Sequence, residues 1–147
     1  AAPLLAGPGA ARAQAGTPLG DGFQGTPEEQ VRAARRTVDA LQELECWETL
    51  DCDGDEIRRY LGTVGTKSPL FKLEPALKKI YAEIDDEKAP DLEELMQHVR
   101  ESDYLAYSTI FAIFSGGKDP KPIAQDCRNQ ITKLQKDLMA LEKLLPS

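Results

Sequence analysis

The sequence predicts an all-α protein: an up-down-up-down four-helix bundle over residues 27–147, preceded by an extended tail over residues 1–26. Three observations carry that expectation. Four segments place apolar residues three and four apart, which is the repeat of a single helix face. Each segment opens on a helix-start signature with proline in or near its first turn. No segment alternates apolar and polar residues over any length, as a half-buried strand must.

The first helix starts where Thr26 can cap, Pro27 supplies a preset φ, and Glu28 and Glu29 face the positive helix end. Val31, Ala34, Val38, Leu41 and Leu44 fall on one face and carry it to about Leu50. The acidic stretch Asp51–Glu56 ends it, and residues 56–61 are expected to add a short turn before Gly62 and Gly65. Ser68 and Pro69 open the second helix, with Leu70, Leu73, Leu77, Ile80 and Ile84 as its stripe. Pro75 falls inside that stripe, so a kink or an offset first turn is expected there. Pro90 and Asp91 begin the third helix, whose face carries Leu92, Leu95, Met96, Val99, Ala106, Ile110 and Ile113 up to Ser115. Pro120 and Pro122 punctuate the start of the fourth. There Ile123, Cys127, Ile131, Leu134, Leu138, Leu141 and Leu145 recur at spacings of four and three, a heptad-like seam. Helices with mostly short links and one apolar stripe each pack most simply as an antiparallel bundle.

Charge and length restrict the partners. The chain of 147 residues carries 25 acidic and 18 basic side chains, a net charge of −7, which disfavours nucleic acid and anionic membrane surfaces as ligands. The most apolar run, residues 104–114, is too short to span a bilayer and is interrupted by Tyr, Ser and Thr, so no transmembrane segment is expected. Residues 1–26 are rich in Ala, Gly and Pro and hold only Arg12 and Asp21 as charges. Leu4 and Leu5 followed by Ala13-Gln14-Ala15 resemble the end of an export signal with cleavage before Gly16. The competing reading, a mature extended arm held by a larger assembly, is the one expected here, since a Gly/Pro arm rarely orders itself alone.

The residues that could carry chemistry are few. One His and three Cys exclude a histidine-rich metal site, a His-Cys nucleophile pair and a haem attachment motif. Asp51, Asp53, Asp55 and Glu56 suggest a calcium loop. Counted from Asp51, however, the positions that need Gly and Glu hold Glu56 and Gly62, so a solvated acidic link is the better reading. Glu94, His98 and Glu101 share a helix face, but a di-iron carboxylate bundle needs two Glu-x-x-His elements and this chain has one histidine. Asp103 lies near an apolar face and is expected at an edge, or in a structural ion pair with Arg58 or Arg59. The run from Gly62 to Ser68 lacks the spacing of a phosphate-binding loop and reads as a tight turn. No catalytic residue, metal ligand or cofactor site is therefore assigned, and the chain is expected not to be an enzyme.

In an up-down bundle the end of the first helix lies near the start of the fourth. Continuing the first helix's spacing puts Cys52 on its core side and Cys46 well off it, while Cys127 sits in the fourth seam. A Cys52–Cys127 bridge fits that topology. Two buried thiols in a reducing compartment are the alternative, and Cys46 is left over either way.

The run GDEIRRYLGTVGTKSPL, Gly54 to Leu70, followed by Leu77-Lys-Lys-Ile80 and preceded by Trp47-Glu-Thr-Leu-Asp51, resembles the PsbQ-like extrinsic subunit of photosystem II of diatoms and related red-lineage algae. The likeness covers about 30 residues, from Trp47 to Ile80. It implies a four-helix bundle without a cofactor in the chloroplast thylakoid lumen, peripheral to the membrane. There it would contact the photosystem II core and other extrinsic subunits and shield the oxygen-evolving centre. The family supplies no residue-level site. Arg58, Arg59 and Lys67 are the candidate partner contacts on physical grounds alone, as basic groups around an exposed turn. Docking on another photosynthetic complex and a generic helix-binding adaptor are the alternative functions.

Overall fold

The computed structural model describes residues 23–63, 66–115 and 119–146, and among them it holds six α-helices, one 3-10 helix and no strand. The helices are α1 (Pro27–Gln42), α2 (Cys46–Thr49), α3 (Gly54–Tyr60), α4 (Leu73–Glu83), α5 (Ala89–Phe111) and α6 (Pro120–Leu144), with the 3-10 turn at Ala112–Ser115 after α5. The all-α expectation holds. Residues 1–22, which carry both readings of the tail, lie outside the described residues.

Local signals explain where α1 and α6 start. Thr26 and Glu29 form a reciprocal capping box: the Glu29 amide donates to Thr26 Oγ1 at 3.1 Å, and the Thr26 amide donates to Glu29 Oε1 at 2.7 Å. Asp119 caps α6 by accepting from the Lys121 amide at 3.1 Å, with Pro120 in the first turn. The α6 seam is fully buried at Ala124, Cys127, Ile131, Leu134, Leu138 and Leu141. Val31, Ala34, Val38 and Leu41 of α1 reach the same core, as do Leu92, Ala106 and Ile110 of α5. α5 and α6 make the most extensive interface, and α1 packs on both α6 and α4.

Side-chain bonds give two of these pairings their direction. Arg35 of α1 bonds Glu142 of α6, whereas Gln42 bonds Thr132 and Arg128, so α1 and α6 run antiparallel. Cys127 near the start of α6 donates to the Ala106 carbonyl late in α5, while Asp137 feels the charge of His98, so α5 and α6 are antiparallel too.

Two boundaries differ from expectation. The first helix stops at Gln42 rather than near Leu50 because the chain folds back on itself: Trp47 Nε1 donates to the Leu41 carbonyl at 2.8 Å, satisfying a group a longer helix would use internally. The second long helix begins at Leu73, not Ser68, since Ser68 instead closes a turn and Lys72 takes a left-handed φ of 57°. Pro75 then falls in the first turn of α4, where its missing N–H has no helical partner to lose, and no kink is needed.

The expected Cys52–Cys127 bridge is not formed. Cys46 pairs with Cys52, Cα atoms 4.9 Å apart, and Cys127 is a free, buried thiol. The extrapolation failed because Cys52 is not on the first helix. After α2, Leu50 adopts a left-handed φ of 60°, and the reversal returns Cys52 to Cys46. Replacing Cys46 and Cys52 by serine is expected to lower folding stability by about 2 kcal/mol, the loop-closure entropy of so short a ring. Urea unfolding of the oxidised protein against the double variant measures it, and equal midpoints would show that the bridge adds nothing.

Candidate interaction site

The motif region around α3 brings polar groups to the edge of the core. Asp53 caps α3 by accepting from the Asp55 amide at 3.0 Å, so this acid of the Asp51–Glu56 link serves the helix. Ile57 and Leu61 bury their side chains, which sets the helix against α5 and α1. α3 ends as the Leu61 amide donates to the Arg58 carbonyl. The chain leaving it is then fastened twice. Ser68, nearly fully buried, donates from Oγ to the Tyr60 carbonyl at 2.7 Å and accepts from the Leu70 amide at 3.1 Å. The Gly62 amide donates to Asp103 Oδ1 of α5 at 3.0 Å.

Beside this junction lies an open groove of about 330 Å³, lined by Leu70, Leu73, Leu77 and Val99 together with Gly62 and Asp103. Its rim includes Tyr104, 60% exposed, and an Arg100–Glu74 ion pair at 3.0 Å. Burial pushes the Asp103 carboxyl up to about 6, against the opposing pull of the Gly62 amide, which favours the charged form. Of the two expectations for Asp103, an edge position or an ion pair with Arg58 or Arg59, the ion pair is not formed; a backbone amide takes that place.

The three candidate contact residues separate. Arg58 turns inward: its Nη2 donates to Asp55 Oδ1 at 2.6 Å, and its guanidinium lies 5.9 Å from the Tyr107 ring centroid and 5.6 Å from that of Phe111. Arg59 and Lys67 are exposed and form no ion pair among the described residues. Arg58 therefore positions α3 on α5, and the other two remain available to a partner.

Elsewhere the polar clusters are structural. His98 is exposed and stands 3.9 Å from Glu94 Oε2. Among the described residues no group of three His, Cys, Asp or Glu side chains is placed to hold a metal ion. Burial pushes the Cys127 thiol up to about 12, which disfavours the thiolate a nucleophile would need. Two long-range contacts went unread in the sequence. Gln30 is buried and its Nε2 donates to the Pro69 and Phe71 carbonyls, tying the start of α1 to the approach to α4. Arg128 of α6 lies over the Trp47 ring at 5.6 Å. A glutamine inside an apolar stripe was the one signal available for the first; nothing local marks the second.

No helix among the described residues is long and apolar enough to cross a membrane. No protein-family model, curated protein or solved structure matches the chain.

Proposed function

We propose that this chain is a PsbQ-like extrinsic subunit of photosystem II, a non-catalytic protein of the thylakoid lumen that docks on the membrane-bound core and other extrinsic subunits and shields the oxygen-evolving centre. The carrying observation is the Gly54–Leu70 run, whose resemblance to that family falls on the segment with exposed Arg59 and Lys67 beside an apolar groove. The helical order supports the reading as well. With α2 and α3 taken as decorations of a long connection, we read α1, α4, α5 and α6 as the four members of an up-down-up-down bundle, a reading that two antiparallel pairings support. A disulfide suits an oxidising compartment. The lack of a membrane-crossing helix among the described residues agrees with a peripheral attachment.

Rebinding tests this directly. Diatom photosystem II membranes stripped of extrinsic proteins by a salt or alkaline wash are given back the other extrinsic subunits with or without this chain, and oxygen evolution is read at low calcium and chloride. Saturable binding with recovered activity is the expected result. Charge reversal at Arg59 and Lys67 together, both exposed, is expected to weaken binding about tenfold and to reduce its salt sensitivity while leaving the fold unchanged. Absence of both binding and recovery would remove photosystem II as the partner.

A further inference from the structure

The groove between α4 and α5 holds a charge without a counterpart. Leu73, Leu77 and Val99 make its lining apolar, and Asp103 brings a carboxylate among them. Among the described residues only the Gly62 amide donates to that carboxylate, on Oδ1. The other charges of the lining are engaged or face water. Arg100, one turn before Asp103 on α5, pairs with Glu74 at 3.0 Å, and Lys72 is exposed over the Phe71 ring. At about 330 Å³ the groove is at the small end of ligand sites, with room for a side chain and its neighbours rather than a cofactor. What complements it is a cation on a slender apolar stem, as arginine and lysine provide.

Two observations say which segment supplies that cation. The first is where the tail leaves the helices. Gln30, near the start of α1, donates from Nε2 to the Pro69 and Phe71 carbonyls, which flank Leu70 of the groove. The chain ahead of Phe23 therefore sets out from beside the groove's own wall. The second is what that chain carries. Within residues 1–22 Arg12 is the one basic side chain, and Ala10, Ala11 and Ala13 around it are small enough to let its stem enter a narrow space. From Phe23 to Arg12 an extended chain reaches about 35 Å, the length of α5, so the span is sufficient.

We propose that the groove is the docking site of this chain's own tail, with the Arg12 stem lying on Leu73, Leu77 and Val99 and its guanidinium paired with Asp103 Oδ2.

The pairing gives the carboxylate the partner that the helices withhold. Arg59 and Lys67 are not among the groove's lining residues, so a tail seated there leaves both exposed. The proposal does not rest on the photosystem reading. Cleavage before Gly16, the competing reading of the tail, would remove Arg12 and bare the groove, so the contact belongs to the uncleaved chain.

The experiment uses the isolated, isotopically labelled full chain. The side-chain carboxyl 13C shift of Asp103 is followed through a pH titration in the native protein and in Arg12→Gln, a substitution that leaves every contact among the helices in place. Burial alone sets the carboxyl at about 6, and a guanidinium beside it favours the charged form. The midpoint is therefore expected at about pH 5 in the native protein and to rise to about 6 in Arg12→Gln. Nuclear Overhauser contacts from the Arg12 side chain to the Leu73 and Val99 methyls are expected in the native protein. One midpoint shared by both proteins, or the absence of those contacts, would overturn the proposal and leave the groove to a cation from a partner. Contacts that disappear on tenfold dilution would assign them to the tail of a second copy, which overturns it as well.

Discussion

Trp47→Ala is expected to cost about 4 kcal/mol of folding stability, the largest single loss in this chain. The side chain is 4% exposed, and truncating a buried tryptophan removes its transfer free energy and leaves a cavity that surrounding atoms fill only in part. A second loss adds to it, because the indole Nε1 donates to the Leu41 carbonyl at 2.8 Å. That carbonyl belongs to the last turn of α1, where its other donor is the Leu44 amide at a longer 3.3 Å, and Leu41 itself is fully buried. Trp47→Phe separates the two parts, keeping most of the ring and losing the bond, and is expected to cost about 1–2 kcal/mol. Equilibrium denaturation of both variants measures this. A Trp47→Ala loss below about 1 kcal/mol would mean that the turn between α1 and α3 rearranges at little cost, and the fold-back would not be what stops α1.

Gly62→Ala is the second large effect, expected to destabilise by about 3 kcal/mol. The cause is space, not backbone freedom, since Gly62 is not among the described residues with positive φ. An added Cβ would stand 2.5 Å from the Leu70 carbonyl oxygen, 2.8 Å from its carbon and 2.6 Å from Asp103 Oδ2. Two of those atoms are backbone, so no rotamer change relieves the contact, and the chain must part from α5 or shift the approach to α4. The Gly62–Asp103 hydrogen bond is then stretched, and the apolar residues beside it lose packing. Thermal unfolding checks the magnitude. A variant as stable as the native protein would show that the junction is loose, and with it would fall any tight coupling between α3 and α5.

The parts of this fold that were legible in the sequence are those specified within one or two helical turns. The seam from Cys127 to Leu141 is buried at every interior position because each residue of a helix repeats its neighbour's orientation every three or four positions. Thr26, Pro27 and Glu29 announced the start of α1 for a similar reason: a cap is a contact between residues three apart. Asp103 was recognisable as an acid near an apolar face, but its partner was not, because a backbone amide at Gly62 leaves no mark in side-chain chemistry. The same limit separated Arg59 and Lys67 from Arg58. All three are basic residues in one stretch, and the aromatic rings of α5, which the local sequence does not reveal, mark the one that turns inward.

Periodicity and caps thus specify helices, their apolar faces and most of their starts, since these depend on interactions among near neighbours. Where α1 stops, which cysteines join and what holds Asp103 depend on the path between helices. That path turns on a left-handed Leu50, on an indole reaching a carbonyl six residues back, and on a glycine 41 residues from its acceptor. Such contacts exist only after the helices have packed, because packing supplies both the closeness and the exclusion of water that make them favourable.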